Sequence, residues 1–445
     1  MATFLIAPTA MPGHVNPALK LARVLQDQGH RVHFCGLLDI EDSIRAEGFP
    51  FEPLFPDLFP KGRALKIGAL RTGSEKGNLV AHMREQFRLS KQALRRMLEG
   101  ELDALFTRLQ PDLLVCDVTD RERPLPLIAH GHGVPTVLLN TTVPGVAPRE
   151  RVRRHGGPVG TGLAWLRAGA GELVHRLLAG TGFHPQPSWL LHRLARKYGY
   201  PMEEVDFSVR LPHPRTPTLL MCPQEFLETD GQRLPDLYRF LGPCIALDRK
   251  APDFPWERLQ EGRPLVLIAL GSVPYLLRRQ PAFLPVIADA ANRRPDWQFV
   301  VSVGALKDAA AFERAAPNII AARQLPQLEL LKRATAMVTH CGFNSTKEAI
   351  YFGVPMVALP FQSDQPFIAR LVKRHGLGVH DSPFTMTGER LASLLDEVIT
   401  QPGYRQAAQA MSARFREAEA PARMARTLEQ LLEEVRRPEA RRISA

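Results

Sequence analysis

Short apolar runs of strand length alternate with helical apolar stripes along most of this chain, and that alternation restricts the fold more than any other feature. Thr3 to Ala7 is the first run, and turn formers fill Pro8 to Val15. Ala18, Leu21, Ala22 and Leu25 then recur at helical spacing as far as Gly29. Asn16 is the expected cap of that helix, with Pro17 at its first position. A second strand, Arg31 to Gly36, follows at once, and further strand-like runs stand at Asp112 to Cys116 and Thr136 to Asn140. Strand, helix and strand in repetition imply an α/β fold with a parallel, doubly wound sheet.

A second pattern of the same kind starts after a break. Gly242-Pro243 and the run Ala251 to Pro255 read as a linker. Beyond them come a strand at Leu265 to Leu270, a helix around Phe283 to Asn292, and strands at Gln298 to Val303, Ala336 to Thr339 and Val354 to Leu359. The 445 residues suit two domains of about two hundred residues each. The expected division is an N-terminal Rossmann-like domain over 1–240, a linker over 241–262, a second Rossmann-like domain over 263–404, and a C-terminal helix with a basic tail over 405–445. Met424, Leu428, Leu431, Leu432 and Val435 share one face of that last helix, which is expected to pack back on the N-terminal domain. Ligands of such sheets sit beyond the carboxyl ends of the strands, so the site belongs in the cleft between the halves.

Composition narrows the function classes. Hydrophobic residues make up 45% of the chain and charged ones 23%, the balance of a globular protein. The opening residues lack a basic n-region, and no apolar run approaches the ~20 residues that cross a bilayer, so a cytoplasmic location is expected. The five cysteines are scattered and show no C-x-x-C spacing, as buried reduced thiols would be. The net charge of +11 favours anionic partners, but the basic residues are not interleaved with aromatics, which argues against nucleic acid. The stretch Arg149 to Lys197 combines an apolar stripe (Leu163, Leu166, Leu173, Leu177) with many arginines. It reads as a lid, an acceptor wall, a weak membrane-surface patch or a plain surface helix pair. Phe55, Leu58, Phe59, Trp165 and Phe183 suit either an apolar acceptor or core packing.

The strongest chemical signal is Thr339-His340-Cys341-Gly342-Phe343-Asn344-Ser345-Thr346-Lys347-Glu348, which follows a strand and opens a helix. A helix N-terminus offers unpaired N–H groups and partial positive charge, which suits a diphosphate. Asn344 is the expected cap and Gly353 the expected stop of this helix. Ser345 adds a hydroxyl donor and His340 an imidazole donor. Glu348, one turn on, has a carboxylate suited to a ribose's two hydroxyls, and Asp364-Gln365 suit sugar hydroxyls.

This block, together with Gln324-Leu325-Pro326-Gln327, Gly353-Val354-Pro355 and Asp364-Gln365-Pro366, resembles the donor-binding signature of the UDP-glycosyltransferase family, in particular its bacterial macrolide and zeaxanthin branch. The resemblance implies the GT-B fold, two Rossmann-like domains facing across a cleft, and a hexosyltransferase that uses a nucleotide diphosphate sugar. By that likeness Gln327 would contact the nucleobase, while His340, Gly342, Asn344 and Ser345 would hold the diphosphate. Glu348 would take the ribose, Asp364 and Gln365 the sugar, and Gly271-Ser272 would form a second phosphate loop. Gln324 stands where many relatives stack a tryptophan on uracil, which leaves UDP and TDP sugars both open.

Glycosyl transfer to a hydroxyl needs a base. His14, in Pro12-Gly13-His14-Val15-Asn16-Pro17, lies at the end of the first strand, and a carboxylate at a neighbouring strand end would fix its tautomer. Asp117 is the expected partner and Asp120 its rival; the family resemblance favours His14 with Asp117. His130 and His132 straddle a glycine and point apart, so no metal site is expected there. No D-x-D occurs, so the fixed dipoles of the donor block are expected to carry the diphosphate charge without a metal. An epimerase of the same fold, a peripheral lipid glycosyltransferase and a non-catalytic glycosyltransferase-like helper are the alternatives.

Overall fold

The computed structural model describes residues 1–62, 79–118, 124–143, 188–201, 216–228, 233–271, 283–304, 309–361 and 364–436. Two parallel sheets organise the chain. The first holds β1 (Thr3–Ala7), β2 (Arg31–Gly36), β3 (Phe51–Pro53), β4 (Leu113–Asp117), β5 (Thr136–Asn140), β6 (Thr218–Leu220) and β7 (Tyr238–Phe240), in the order β3-β2-β1-β4-β5-β6-β7. The second holds β8 (Leu265–Ala269), β9 (Gln298–Ser302), β10 (Ile319–Ala322), β11 (Ala336–Thr339), β12 (Met356–Ala358) and β13 (Gly378–His380), in the order β10-β9-β8-β11-β12-β13. The strand runs are almost wholly apolar because helices cover both faces of each sheet.

Sheet order decides where ligands go. In the first sheet the order reverses between β1 and β4, where Ala7 pairs with Cys116. In the second it reverses between β8 and β11, where Ala269 pairs with Thr339. A reversal opens a crevice beyond the carboxyl ends of the two strands. The residues that follow those ends, His14 after β1, Asp117 at the tip of β4, Gly271 after β8 and His340 after β11, are all sequence candidates.

The helix Pro12–Asp27 covers one face of the first sheet with Val15, Ala18, Leu21 and Leu25. Met424, Leu428, Leu431 and Leu432 of the helix Pro421–Arg436 join the same cluster, with Val435 packed against it. The C-terminal helix therefore lies on the N-terminal sheet, as its apolar face implies. On the opposite sheet face Leu94, Met97, Phe106, Leu127, Ile128, Leu190 and Leu194 form the second layer. Phe55 is buried in that layer and Leu58 and Phe59 pack against it, so these three serve core packing. Trp165, Phe183 and the stretch 149–187 lie outside the described residues. Among the described residues no helix is long and apolar enough to cross a membrane, and all five cysteines are free and buried.

Two helix starts differ from expectation. The first helix begins at Pro12, not after Asn16, with Met11 at the cap, so Pro17 lies inside it. Pro12 already supplies the preset φ that favours the first helical position, and it comes earlier. The helix Phe343–Tyr351 is capped by Gly342, so Asn344 is its second residue and not its cap. Cys341 sets this entry with φ of 60°, a left-handed conformation uncommon in a side-chain-bearing residue. Gly353, with φ of 66°, does follow the helix end.

Candidate active site

The group at the strand ends of the first sheet is a buried triad. Asp117 Oδ2 lies 2.8 Å from His14 Nδ1, and the Asp117 side chain is wholly shielded from solvent. The Thr141 hydroxyl lies 2.6 Å from the same nitrogen and donates to Asp117 Oδ2 at 3.4 Å. Three strand ends supply this group: β1 leads into His14, β4 ends at Asp117, and Thr141 follows β5. A carboxylate on Nδ1 holds the proton there and leaves Nε2 as the basic nitrogen. Thr141 was not among the sequence candidates; the strand-end rule that found Asp117 points to it equally. Asp120 lies outside the described residues. His132 binds Asp103 at 2.9 Å while His130 packs against Tyr200, so these two histidines do serve separate contacts.

On the opposite side His340 sits between two glycines. A Cβ on Gly342 would fall 2.5 Å from His340 Nε2, and one on Gly271 would fall 2.9 Å from it. Gly271 also has φ of 97°, open to glycine alone without strain. Burial lowers the His340 pKa to about 4, against a smaller raising effect of the Ala269 backbone. The ring is therefore neutral near pH 7 and has one N–H to give. Its Nδ1 and the Asn344 Oδ1 are buried with no hydrogen-bond partner. Ser272 lies outside the described residues.

Asn344 reaches the other half. Its Nδ2 donates to the Gly13 carbonyl at 2.7 Å, next to His14. One turn further on, Glu348 is buried and held through both oxygens: Arg249 grips the two, at 2.5 and 3.1 Å, and Gln327 Nε2 donates to Oε2 at 2.6 Å. Gln327 also reaches the Ser345 hydroxyl at 3.3 Å. Gln327, Ser345 and Glu348 are thus brought together as a cluster, with Arg249 added from the linker. Asp364 occupies the N-cap position of the helix Gln365–Arg374 without a side-chain capping bond, and its charge acts on the Cys341 thiol. Gln365 is buried, and its Oε1 accepts from the Phe361 N–H at 2.9 Å, closing its own loop.

Residues 261–419 match the model of the family described as UDP-glucoronosyl and UDP-glucosyl transferase, a span that holds every donor-side candidate. The demethyllactenocin mycarosyltransferase of Streptomyces fradiae is 26% identical over 436 residues, covering 96% of this chain and 86% of the relative. The C-terminal half of the chain thus matches the UDP-glycosyltransferase family. The fold of the whole chain is GT-B: the glycotransferase of kitacinnamycin superposes with a TM-score of 0.70 at 24% identity, covering 97% of this chain and 99% of that one. The spinosyn rhamnosyltransferase SpnG, complexed with thymidine diphosphate, superposes with a TM-score of 0.61 at 18% identity, covering 96% and 100%.

As a GT-B glycosyltransferase, the enzyme takes its sugar from a nucleotide diphosphate donor. The clefts beyond the two strand-order reversals then have distinct chemistry. One presents a histidine with a buried carboxylate behind it, and the other a helix N-terminus with a neutral imidazole. Arg249 was missed by sequence reasoning because it lies in the linker, far along the chain from the helix it contacts, and no local motif marks it.

Proposed function

We propose that this glycosyltransferase is an inverting, metal-independent hexosyltransferase. It moves a hexose, with UDP-glucose the first donor to test, to a hydroxyl of a small lipophilic acceptor such as a carotenoid, polyketide or phenolic. One observation carries the reading: the His14–Asp117 pair stands beside a carbonyl hydrogen-bonded to Asn344 at the start of the donor helix. A base and an anion-binding helix end thus share one cleft.

The acceptor O–H gives its proton to His14 Nε2 while its oxygen forms a bond to the anomeric carbon. The bond from that carbon to the diphosphate oxygen breaks, and its electron pair leaves with the nucleotide. Attack from the face opposite the leaving group inverts the centre. Asp117 stabilises the imidazolium, and the N–H groups around Gly342 to Ser345 with His340 stabilise the departing charge. Glu348 and Gln327 take the ribose and base side, and Asp364 and Gln365 the sugar.

The thymidine diphosphate bound by SpnG supports a TDP sugar as a second donor, and Gln324 in place of a stacking tryptophan is consistent with either. The acceptor class rests on likeness to relatives such as the demethyllactenocin mycarosyltransferase. A cytoplasmic location with weak attachment to anionic membranes through 149–197 completes the proposal; liposome co-sedimentation that weakens with salt tests that part.

The deciding experiment is His14→Ala assayed with nucleotide sugars and an acceptor panel. Transfer, read by mass spectrometry, is expected to fall to background while calorimetry still records donor binding. Loss of donor binding with transfer unaffected per bound donor would remove His14 from the role of base. Conversion of donor without acceptor would mark an epimerase instead.

A further inference from the structure

Glu348 has little capacity left for a ligand. A carboxylate offers about four lone-pair sites. Oε1 accepts from Arg249 Nη1, while Oε2 accepts from both Arg249 Nη2 and Gln327 Nε2. Three of the four are therefore taken, and the remaining one is on Oε1. A ribose presents two neighbouring hydroxyls, whereas a 2′-deoxyribose presents one at the same edge.

The arginine is held there. The side chain of Lys347, the residue before Glu348, is completely buried and donates to the Pro243 carbonyl at 2.8 Å. That contact fixes the linker six residues upstream of Arg249, against the helix that carries Glu348. The Glu348 side chain is only 7% exposed, so water competes poorly for its oxygens. A guanidinium fork on a buried carboxylate is among the stronger side-chain pairings.

We infer that Arg249 is a specificity-determining residue of the donor site: by occupying Glu348 it leaves room for one sugar hydroxyl and makes binding indifferent to the 2′-hydroxyl. The enzyme accordingly takes 2′-deoxyribonucleoside diphosphates as readily as ribonucleoside diphosphates. This rests on the reading that Glu348 faces the donor's pentose.

The test compares UDP with 2′-deoxy-UDP, which differ in the 2′-hydroxyl alone, by calorimetry on the full chain. The wild type is expected to bind the two within about fivefold, whereas Arg249→Met, which frees two acceptor sites, favours UDP by about tenfold or more, the size of one hydrogen bond to a charged group. Arg249→Lys keeps the charge but loses the fork and falls between them. Because the ratio is taken within one protein, partial loss of folded material cancels. A wild type that prefers UDP by more than about fivefold, or a ratio unchanged in Arg249→Met, overturns the inference while leaving nucleotide binding intact. Binding of neither nucleotide overturns the donor-site reading itself.

Discussion

The Asn344 side-chain amide donates to the Gly13 carbonyl at 2.7 Å, and Pro17 is why that carbonyl is available. Within the helix Pro12–Asp27 the carbonyl of Gly13 would normally accept from the N–H four residues on. Proline has no N–H, so that carbonyl is released and Asn344 of the C-terminal half takes it. A helix-interior proline thus links the loop of the candidate base to the helix of the candidate anion site.

Replacing Pro17 by Ala restores the missing N–H. The Gly13 carbonyl then gains a helical donor, and the bond to Asn344 weakens. Transfer efficiency, kcat/KM, is expected to fall by roughly two- to tenfold, the worth of one net hydrogen bond, while the melting temperature holds or rises. An unchanged kcat/KM would mean that the contact has no part in aligning the halves.

Asp117→Asn keeps the shape of the triad and removes its charge. An amide that donates to Nδ1 would favour the tautomer with the proton on Nε2, where it blocks base catalysis. The expected loss in kcat is on the order of 10²- to 10⁴-fold with little change in donor KM. Steady-state kinetics checks it, and an equal loss in donor binding would instead assign Asp117 a structural task.

Gly342→Ala tests the seat of His340. The added methyl carbon meets the imidazole at 2.5 Å, so the ring or the helix start must shift. Nucleotide affinity is expected to drop by about tenfold or more as the anion site distorts. Gly403→Ala, whose new methyl meets nothing within 4 Å, serves as the control and should leave affinity unchanged.

Much of this arrangement was legible in the sequence, for physical reasons that also mark its limits. The strands could be read because they are apolar and bounded by turn formers, as in Leu265 to Ala269. His14 and Asp117 could be paired because parallel strands deliver their ends to one edge. The cap positions were misread at Asn16 and Asn344, where good capping residues lie inside helices that start earlier. At Asn344 the side chain is committed to Gly13, a contact 331 positions away in sequence. Arg249 and Thr141 act through contacts of the same long range, which no spacing rule reports.

Two buried groups give the fold opposing responses to pH. Burial raises the Glu419 carboxyl to about 7; one of its oxygens accepts from the Ile245 N–H and the other has no partner. With the folded pKa above the unfolded one, its contribution is fully present below about 4.5 and is lost as pH rises to 7. His340 does the reverse: its folded pKa is lowered to about 4 from 6.5, so its contribution is present above 6.5 and is lost as pH falls to 4. Between 4.5 and 6.5 the two slopes oppose, and melting temperature should vary little there. Glu419→Gln keeps an acceptor for Ile245 without the charge. It is expected to raise the melting temperature by several degrees at pH 8, where the buried carboxylate costs on the order of a few kcal/mol. The same variant should then lose stability steadily from pH 6.5 to 4, because the His340 slope is no longer offset. A pH 8 melting temperature equal to the wild type would show that the Glu419 carboxyl is not the buried, destabilising charge at the linker.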